Sequence, residues 1–242
     1  MVIDFEELRR KALGITKDKI KNSYSKDLMI INAINNVEEL ERSINSMASR
    51  LRDWYMIKNP ELEKATPDNE HFVKVVLEQS SLETIEFSQM GASLDKNDDA
   101  AILSLALITQ GLVETKVFLL LYLEKTMKEY CKNIHALAGT TIGAKLLRDA
   151  KSLKKLASLQ SSTIQLLGAE KALFRHIKTG AKSPKYGHIV NHPLIINAKR
   201  DVRGKAARAL ADKLSIAARL DYFKGEFLAD KLYSDLQQRF NH

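Results

Sequence analysis

Twenty-five residues, Ile30 to Trp54, carry a heptad that restricts the chain more than any other feature. Ile30, Val37, Ile44 and Leu51 stand seven apart, and Ala33, Leu40, Met47 and Trp54 fill the second seam position. Alternating three–four spacing marks a coiled-coil seam, and a strand, whose side chains alternate with period two, has no use for it. Glu38, Glu39, Glu41, Arg42 and Arg50 fall off the seam, as solvated flanks should. The spacing predicts a helix from about Ser25 to Lys58, stopped ahead of Pro60. Only 10 Gly and 4 Pro punctuate 242 residues, too few for an all-β fold or a doubly wound sheet. The chain reads as all-α.

Pro60, Pro67, Asp68 and Asn69 mark a break. Short helical pieces over about 71–87 and a second break around Gly91–Asp98 follow. A second long helix is expected from Asp99 to Tyr130, apolar on more than one side through Ile102, Leu105, Ile108, Leu112, Val117, Leu119, Leu120 and Leu123. Residues 25–130 thus form an antiparallel coiled-coil arm with a small helical tip, about 45 Å long at 1.5 Å per residue, which suits a spacer or a self-association arm. Residues 1–24 are a short lead-in, helical over Asp4–Ala12, and their acidic residues exclude a signal peptide. Ala100–Leu123 is apolar, yet Gln110, Glu114 and Lys116 stand near its centre. One Lys there costs about 2.5–3.5 kcal/mol in a bilayer, so the segment reads as a buried helix and no membrane partner is expected. A lone cysteine, Cys131, fits a reducing compartment.

Charge is segregated. Residues 1–130 hold 17 basic and 22 acidic side chains, whereas residues 131–208 hold 16 basic against 3 acidic, Asp149, Glu170 and Asp201. Such a block attracts a polyanion, and nucleic acid is the commonest. Within it, His135–Gly143 reads as a loop with two glycines, and Ala144–Ala150 and Ser152–Leu159 as short helices. Ser162 and Gln165 fit a capping box. A helix through Gly168–Gly180 places Leu166, Ala169, Leu173 and Ile177 on one side and Lys171, Arg175 and Lys178 on the other, with Lys182 just beyond. Lys185, Tyr186 and His188 in the following loop combine phosphate neutralisation with rings able to stack on unpaired bases. An Ala-rich helix over Asn197–Phe223, with Arg200, Arg203, Lys205 and Arg208 at its start, and a last helix around Glu226–Phe240 complete the chain.

No enzyme emerges. Gly139–Lys145 fails as a phosphate loop, because Lys does not follow the second Gly directly, no Ser or Thr follows the Lys, and no strand precedes it. Cys131 with His135, and His188 with His192, are each half a metal site at best. Glu170, alone among cations, reads as an organiser of Lys or Arg side chains. No cofactor is implied.

The segments Gly139–Leu146, Ser152–Ala157, Thr163–Arg175, Pro184–Ile189 and Arg203–Asp221 closely resemble the Nop domain. The helix ending Leu51-Arg-Asp-Trp-Tyr55 resembles the coiled-coil arm that precedes that domain, so the resemblance covers about residues 25–242. It implies a Nop domain over 131–242 in a scaffold protein of box C/D ribonucleoproteins, which guide 2′-O-methylation of ribosomal RNA. The implied partners are a box C/D guide RNA with a kink-turn, a small kink-turn-binding protein, and a second copy joined through the arm. The implied RNA and protein contacts are Thr163, Gln165, Gly168, Ala169, Glu170, Lys171, Arg175, His176, Lys178, Lys182, Pro184, Lys185, Tyr186 and His188. Fibrillarin is held in the family by an N-terminal domain absent from this chain, which looks truncated. The compact arm looks archaeal, implying the cytoplasm, or the nucleolus if the chain is eukaryotic. Spliceosomal Nop proteins depart from the Gly168-Ala-Glu-Lys171 run kept here, and a helical interaction module with an incidental basic surface is the rival of another class.

Overall fold

The computed structural model describes residues 5–22, 24–81 and 90–240, and every element within them is helical. The chain divides into two compact units, Ala33–Glu124 and Met1–Asn32 with Lys125–His242.

In the first unit, α2 (Lys26–Lys58), α3 (Pro60–Ala65), α4 (Asn69–Ser81) and α5 (Lys96–Tyr130) supply the core; α2 and α5 continue into the other unit. Asn59 ends α2 and caps α3, its side chain accepting the Leu62 N–H at 2.9 Å, with Pro60 at the first helical position. The capping and the proline together explain why α2 stops where the sequence said it would. Lys58 of α2 meets Asp99 of α5 at 2.6 Å, while Asn45 of α2 and Lys116 of α5 both engage the start of α4 through Asn69 and Glu70. The long helices therefore run antiparallel. Ala48, Leu51 and Tyr55 of α2, Phe72, Val73 and Val76 of α4, and Ile102 and Ala106 of α5 form one buried cluster. Arg52 ties the tip, donating to Asn69 Oδ1 (2.9 Å), Glu63 O (3.1 Å) and Thr66 O (2.6 Å), its guanidinium 4.4 Å from the Phe72 ring centre.

The seam is phased differently from the expectation. Ile30, Val37, Ile44 and Leu51 are buried, and so is Ala33, but the other buried companions are Ile34, Ala48 and Tyr55; Leu40 and Met47 are half-buried and Trp54 is exposed. These companions keep the seven-residue repeat but sit one residue later, on the side where α4 and α5 pack. The helical pieces expected over 71–87 resolve into α4, and the part beyond Ser81 lies outside the described residues. Helix α5 buries Ile102, Ala106, Thr109 and Val113 on one side and exposes Leu107, Ile108, Val117, Phe118 and Leu121 elsewhere. By length and composition it could cross a membrane, yet its Lys116 is paired with Glu70 and mostly buried.

The lead-in is longer than expected: α1 spans Phe5–Asn22, and Asp4 lies outside the described residues. The second unit centres on α11 (Arg203–Tyr222), whose Ala206, Ala207, Ala209, Ala211, Ala217 and Ala218 are all buried. Side chains this small let α6 (Lys132–Ala150), α7 (Leu153–Ser158) and α8 (Ser161–Leu166) approach closely, and α12 (Ala229–Phe240) packs on α6 and α11. The expected loop His135–Gly143 is instead part of α6. Only Gly139 leaves helical geometry (φ 75, ψ 172), a kink that L side chains resist, whereas Gly143 stays helical and is small because a Cβ there would lie 2.9 Å from Met127 Cε. Burial of Leu137, Ala138, Ala144, Leu146 and Leu147 holds both halves helical. Residues 197–202 form a turn rather than the start of α11, because the Arg203 guanidinium donates to Ile196 O and Ala198 O. The last helix begins at Ala229, not at Glu226.

Two buried carboxylates flank Cys131. Asp221 accepts the N–H groups of Asn133 (3.0 Å) and Ile134 (2.9 Å), capping the start of α6, where Cys131 makes no side-chain cap. Asp27 accepts the Leu153 N–H at 3.3 Å and a hydrogen bond from Tyr130. Burial raises the Asp221 carboxyl despite those donors. Burial and the adjacent Asp27 raise the Tyr130 hydroxyl to about 12. The Cys131 thiol is pushed up by burial first, then by Asp221 and Asp27.

Candidate nucleic-acid interface

The site grows from the junction of α8 and α9 (Glu170–Thr179). The segment 165–168 runs beside the loop 185–188: the Gly187 N–H donates to Gln165 O (2.8 Å), the His188 N–H to Leu167 O (2.8 Å), and Gln165 Nε2 to Lys185 O (2.7 Å). Two glycines make the approach possible. A Cβ on Gly187 would meet Leu167 O at 1.8 Å. Gly168 has φ +88, and a Cβ there would lie 2.4 Å from His188 Nε2. The Glu170 carboxylate accepts the Gly168 N–H at 2.9 Å, placing negative charge in the first turn of α9, where the helix dipole favours it. That corrects the expectation that Glu170 organises cations. The capping box is also corrected: α8 starts at Ser161, Ser162 lies within it, and the Gln165 amide is drawn to Lys185 instead.

Helix α9 shows a further difference. Leu166, Ala169, Leu173 and Ile177 were placed on one side, but α9 itself has no buried residue, Phe174 is 65% exposed and Ile177 69%. Ala169, which precedes it, is buried, and Leu166 and Leu173 are half-buried. The opposite row holds: Lys171, Arg175 and Lys178 are exposed, as is Lys182, and none pairs with a carboxylate among the described residues. Gly180, at φ 66, stops the helix and returns the chain.

The remaining candidates divide into two groups. Thr163 and Lys185 are exposed, and Pro184 and Tyr186 half-buried, all beside the same junction. His176 Nδ1 hydrogen-bonds Ala181 O and fixes the start of the loop. His188 is not a free ring. Its Nε2 lies 2.7 Å from Asp149 Oδ2, with both side chains only 17% exposed, so the proton sits on Nε2 and points at the carboxylate. Arg148 Nη2 is 3.2 Å from the same nitrogen, and Arg148 Nε donates to Asp149 Oδ1 at 2.9 Å. Burial alone would raise Asp149, but the hydrogen bonds from His188 and Arg148 outweigh it and hold the carboxyl below its ordinary value. His192, expected only as half of a metal pair with His188, is buried, with Nε2 donating to Leu137 O (2.9 Å) and Nδ1 accepting the Leu194 N–H (3.2 Å). His135 instead contacts Thr140 at 3.1 Å across the Gly139 kink.

Sequence reasoning missed Asp149, Arg148 and the outward Phe174. Asp149 carried a faint signal as one of three acids in a strongly basic block.

Comparison with known proteins gives the family. The family model described as "Nop: snoRNA binding domain, fibrillarin" matches residues 36–242. An uncharacterized NOP5 family protein of Methanocaldococcus jannaschii is 37% identical over 261 residues, covering 98% of this chain and 63% of the relative. Nucleolar protein 56 of Saccharomyces cerevisiae is 34% identical over 250 residues, covering 91% of this chain and 50% of the relative. The chain therefore spans about half to three fifths of the length of these relatives. The crystal structure of a fibrillarin/Nop5p complex superposes with a TM-score of 0.61 at 26% identity, covering 98% of this chain and 78% of that one. With the family model spanning nearly all of the first unit and residues 125–242 of the second, the chain belongs to the Nop domain family, related to NOP5 and to nucleolar proteins 56 and 58.

Proposed function

We propose that the chain is the core scaffold of a box C/D ribonucleoprotein, binding kink-turn RNA jointly with a kink-turn-binding protein and supporting guide-directed 2′-O-methylation without catalysing it. One observation carries the reading: α9 sets the exposed cations Lys171, Arg175 and Lys178 beside the exposed Phe174 and Ile177. Cations suit a phosphate backbone and an exposed apolar pair suits a protein surface, so one short helix offers both halves of a composite contact. Gly168, Ala169 and Glu170 set where α9 begins, and the junction presents Thr163, Gln165, Lys182, Pro184, Lys185 and Tyr186 around it. His176 and His188 act from behind as positioning residues.

The same reading pairs two copies through the arm. Leu107, Ile108, Phe118 and Leu121 of α5 are exposed, and a Cβ on Gly111 between them would meet nothing within 4 Å. Apolar side chains left outward in this number mark an interaction face. Fibrillarin, present with the Nop5p neighbour, is the expected further partner of the assembly. The location that follows is the cytoplasm of an archaeon or the nucleolus of a eukaryote.

A gel-shift titration on a kink-turn RNA, with and without a kink-turn-binding protein, tests the reading. Tight binding only when both are present is expected. Equal, salt-sensitive binding to any RNA would reduce the site to a basic surface, and no binding would return the chain to an interaction module.

A further inference from the structure

A second cleft lies in the same unit, lined by residues outside α9. Helix α10 (Pro193–Ile196), the turn after it and α12 enclose about 220 Å3, lined by Pro193, Leu194, Asn197, Tyr233, Gln237 and Phe240. The lining is that of a site for a flat ring with polar edges. Tyr233 and Phe240 supply aromatic faces. The amides of Asn197 and Gln237 each supply a donor and an acceptor, and Tyr233 adds a hydroxyl. None of these three polar side chains is hydrogen-bonded to another described residue.

The surroundings are cationic. Lys199 and Arg200 follow the cleft turn directly and are exposed, with Asp201 the acid beside them. Arg203 donates to Ile196 O at 3.1 Å and Ala198 O at 3.0 Å, which fixes the turn carrying Asn197. The Arg239 guanidinium lies 5.7 Å from the centre of the Phe240 ring. Aromatic faces, amides and cations together are how proteins hold an unpaired nucleotide: the ring stacks, the amides read an edge, and the cations take the flanking phosphates.

We propose that this cleft binds one unpaired base of a single-stranded RNA segment, with Lys199, Arg200 and Arg239 neutralising its phosphates. The proposal rests on the chain being an RNA-binding protein, but not on the α9 surface. It gives the molecule a second RNA contact, for a strand rather than a folded motif.

The test uses the full chain and fluorescein-labelled hexa-adenylate and hexa-uridylate, followed by anisotropy. The double variant Asn197→Ala, Gln237→Ala and the single variant Phe240→Ala should each bind the hexanucleotides about tenfold more weakly, with unchanged far-UV circular dichroism. Neither should alter assembly on kink-turn RNA with a kink-turn-binding protein. A hexanucleotide carrying 5-iodouridine should crosslink to Tyr233 or Phe240. Failure of the wild-type chain to bind the hexanucleotides, unchanged affinity in both variants, or crosslinks confined to other residues would overturn the cleft. Cleft-dependent hexanucleotide binding with no kink-turn assembly would sustain the cleft and sink the composite reading.

Discussion

A single missing Cβ decides how the RNA-facing loop is held. Gly168 has a left-handed φ and lies against the His188 ring, so Gly168→Ala meets backbone strain and a clash together. A loss of about 1–3 kcal/mol is expected, read as a lower denaturation midpoint with a parallel loss of kink-turn binding. Asp149→Ala leaves the His188 Nε2–H without an acceptor and should cost about 1–3 kcal/mol; a variant as stable as the parent would show that the pair does not hold the loop. His192 supplies the pH dependence. Burial depresses its pKa below the ordinary 6.5 despite the hydrogen bond to Leu137 O. The unfolded chain therefore takes up this proton first as pH falls, so stability should drop below about pH 6.5 and level off beneath the lowered folded value. Protonation also removes the Nδ1 lone pair that accepts the Leu194 N–H. His192→Asn keeps a capping acceptor without titrating, and should shrink the stability difference between pH 7.5 and pH 5.5 in urea titrations. These roles were barely legible in the sequence, because Asp149 and His188 stand 39 residues apart and only the fold joins them.

Elements were legible where local signals act and illegible where a neighbour decides. The end of α2 followed from Pro60, and the four core positions Ile30, Val37, Ile44 and Leu51 followed from spacing alone. The second seam position followed only at Ala33, since its phase depends on which side α4 and α5 cover. Periodicity likewise gave α9 two faces without saying that the apolar one stays uncovered. The contrast is testable within the arm. Leu51 is fully buried in the cluster with Phe72, so Leu51→Ala should cost about 2–5 kcal/mol of stability. Phe118 is 68% exposed, so Phe118→Asp should leave the melting transition in place and shift the mass in solution from two chains to one, measured by light scattering. Loss of folding instead would place Phe118 in the intrachain core.

At the scale of the whole molecule, the +8 net charge understates the matter, because residues 131–208 alone carry an excess of 13. Association with RNA should weaken steeply with salt. Removing two phosphate contacts with Lys171→Ala and Arg175→Ala should abolish joint binding at moderate salt. At low salt it should flatten the log–log salt slope by about 1.4–1.8, with helicity unchanged. An unaltered slope would move the contacts to other cations. Cys131, finally, turns the fold into its own clock. Shielded by packing and by the two acids beside it, the thiol is neutral and out of reach of reagents while the chain is folded. As the sole sulfhydryl of 242 residues, it should react with Ellman's reagent only when the start of α6 opens. The colour developed over time would then count openings of that junction, without a label being attached.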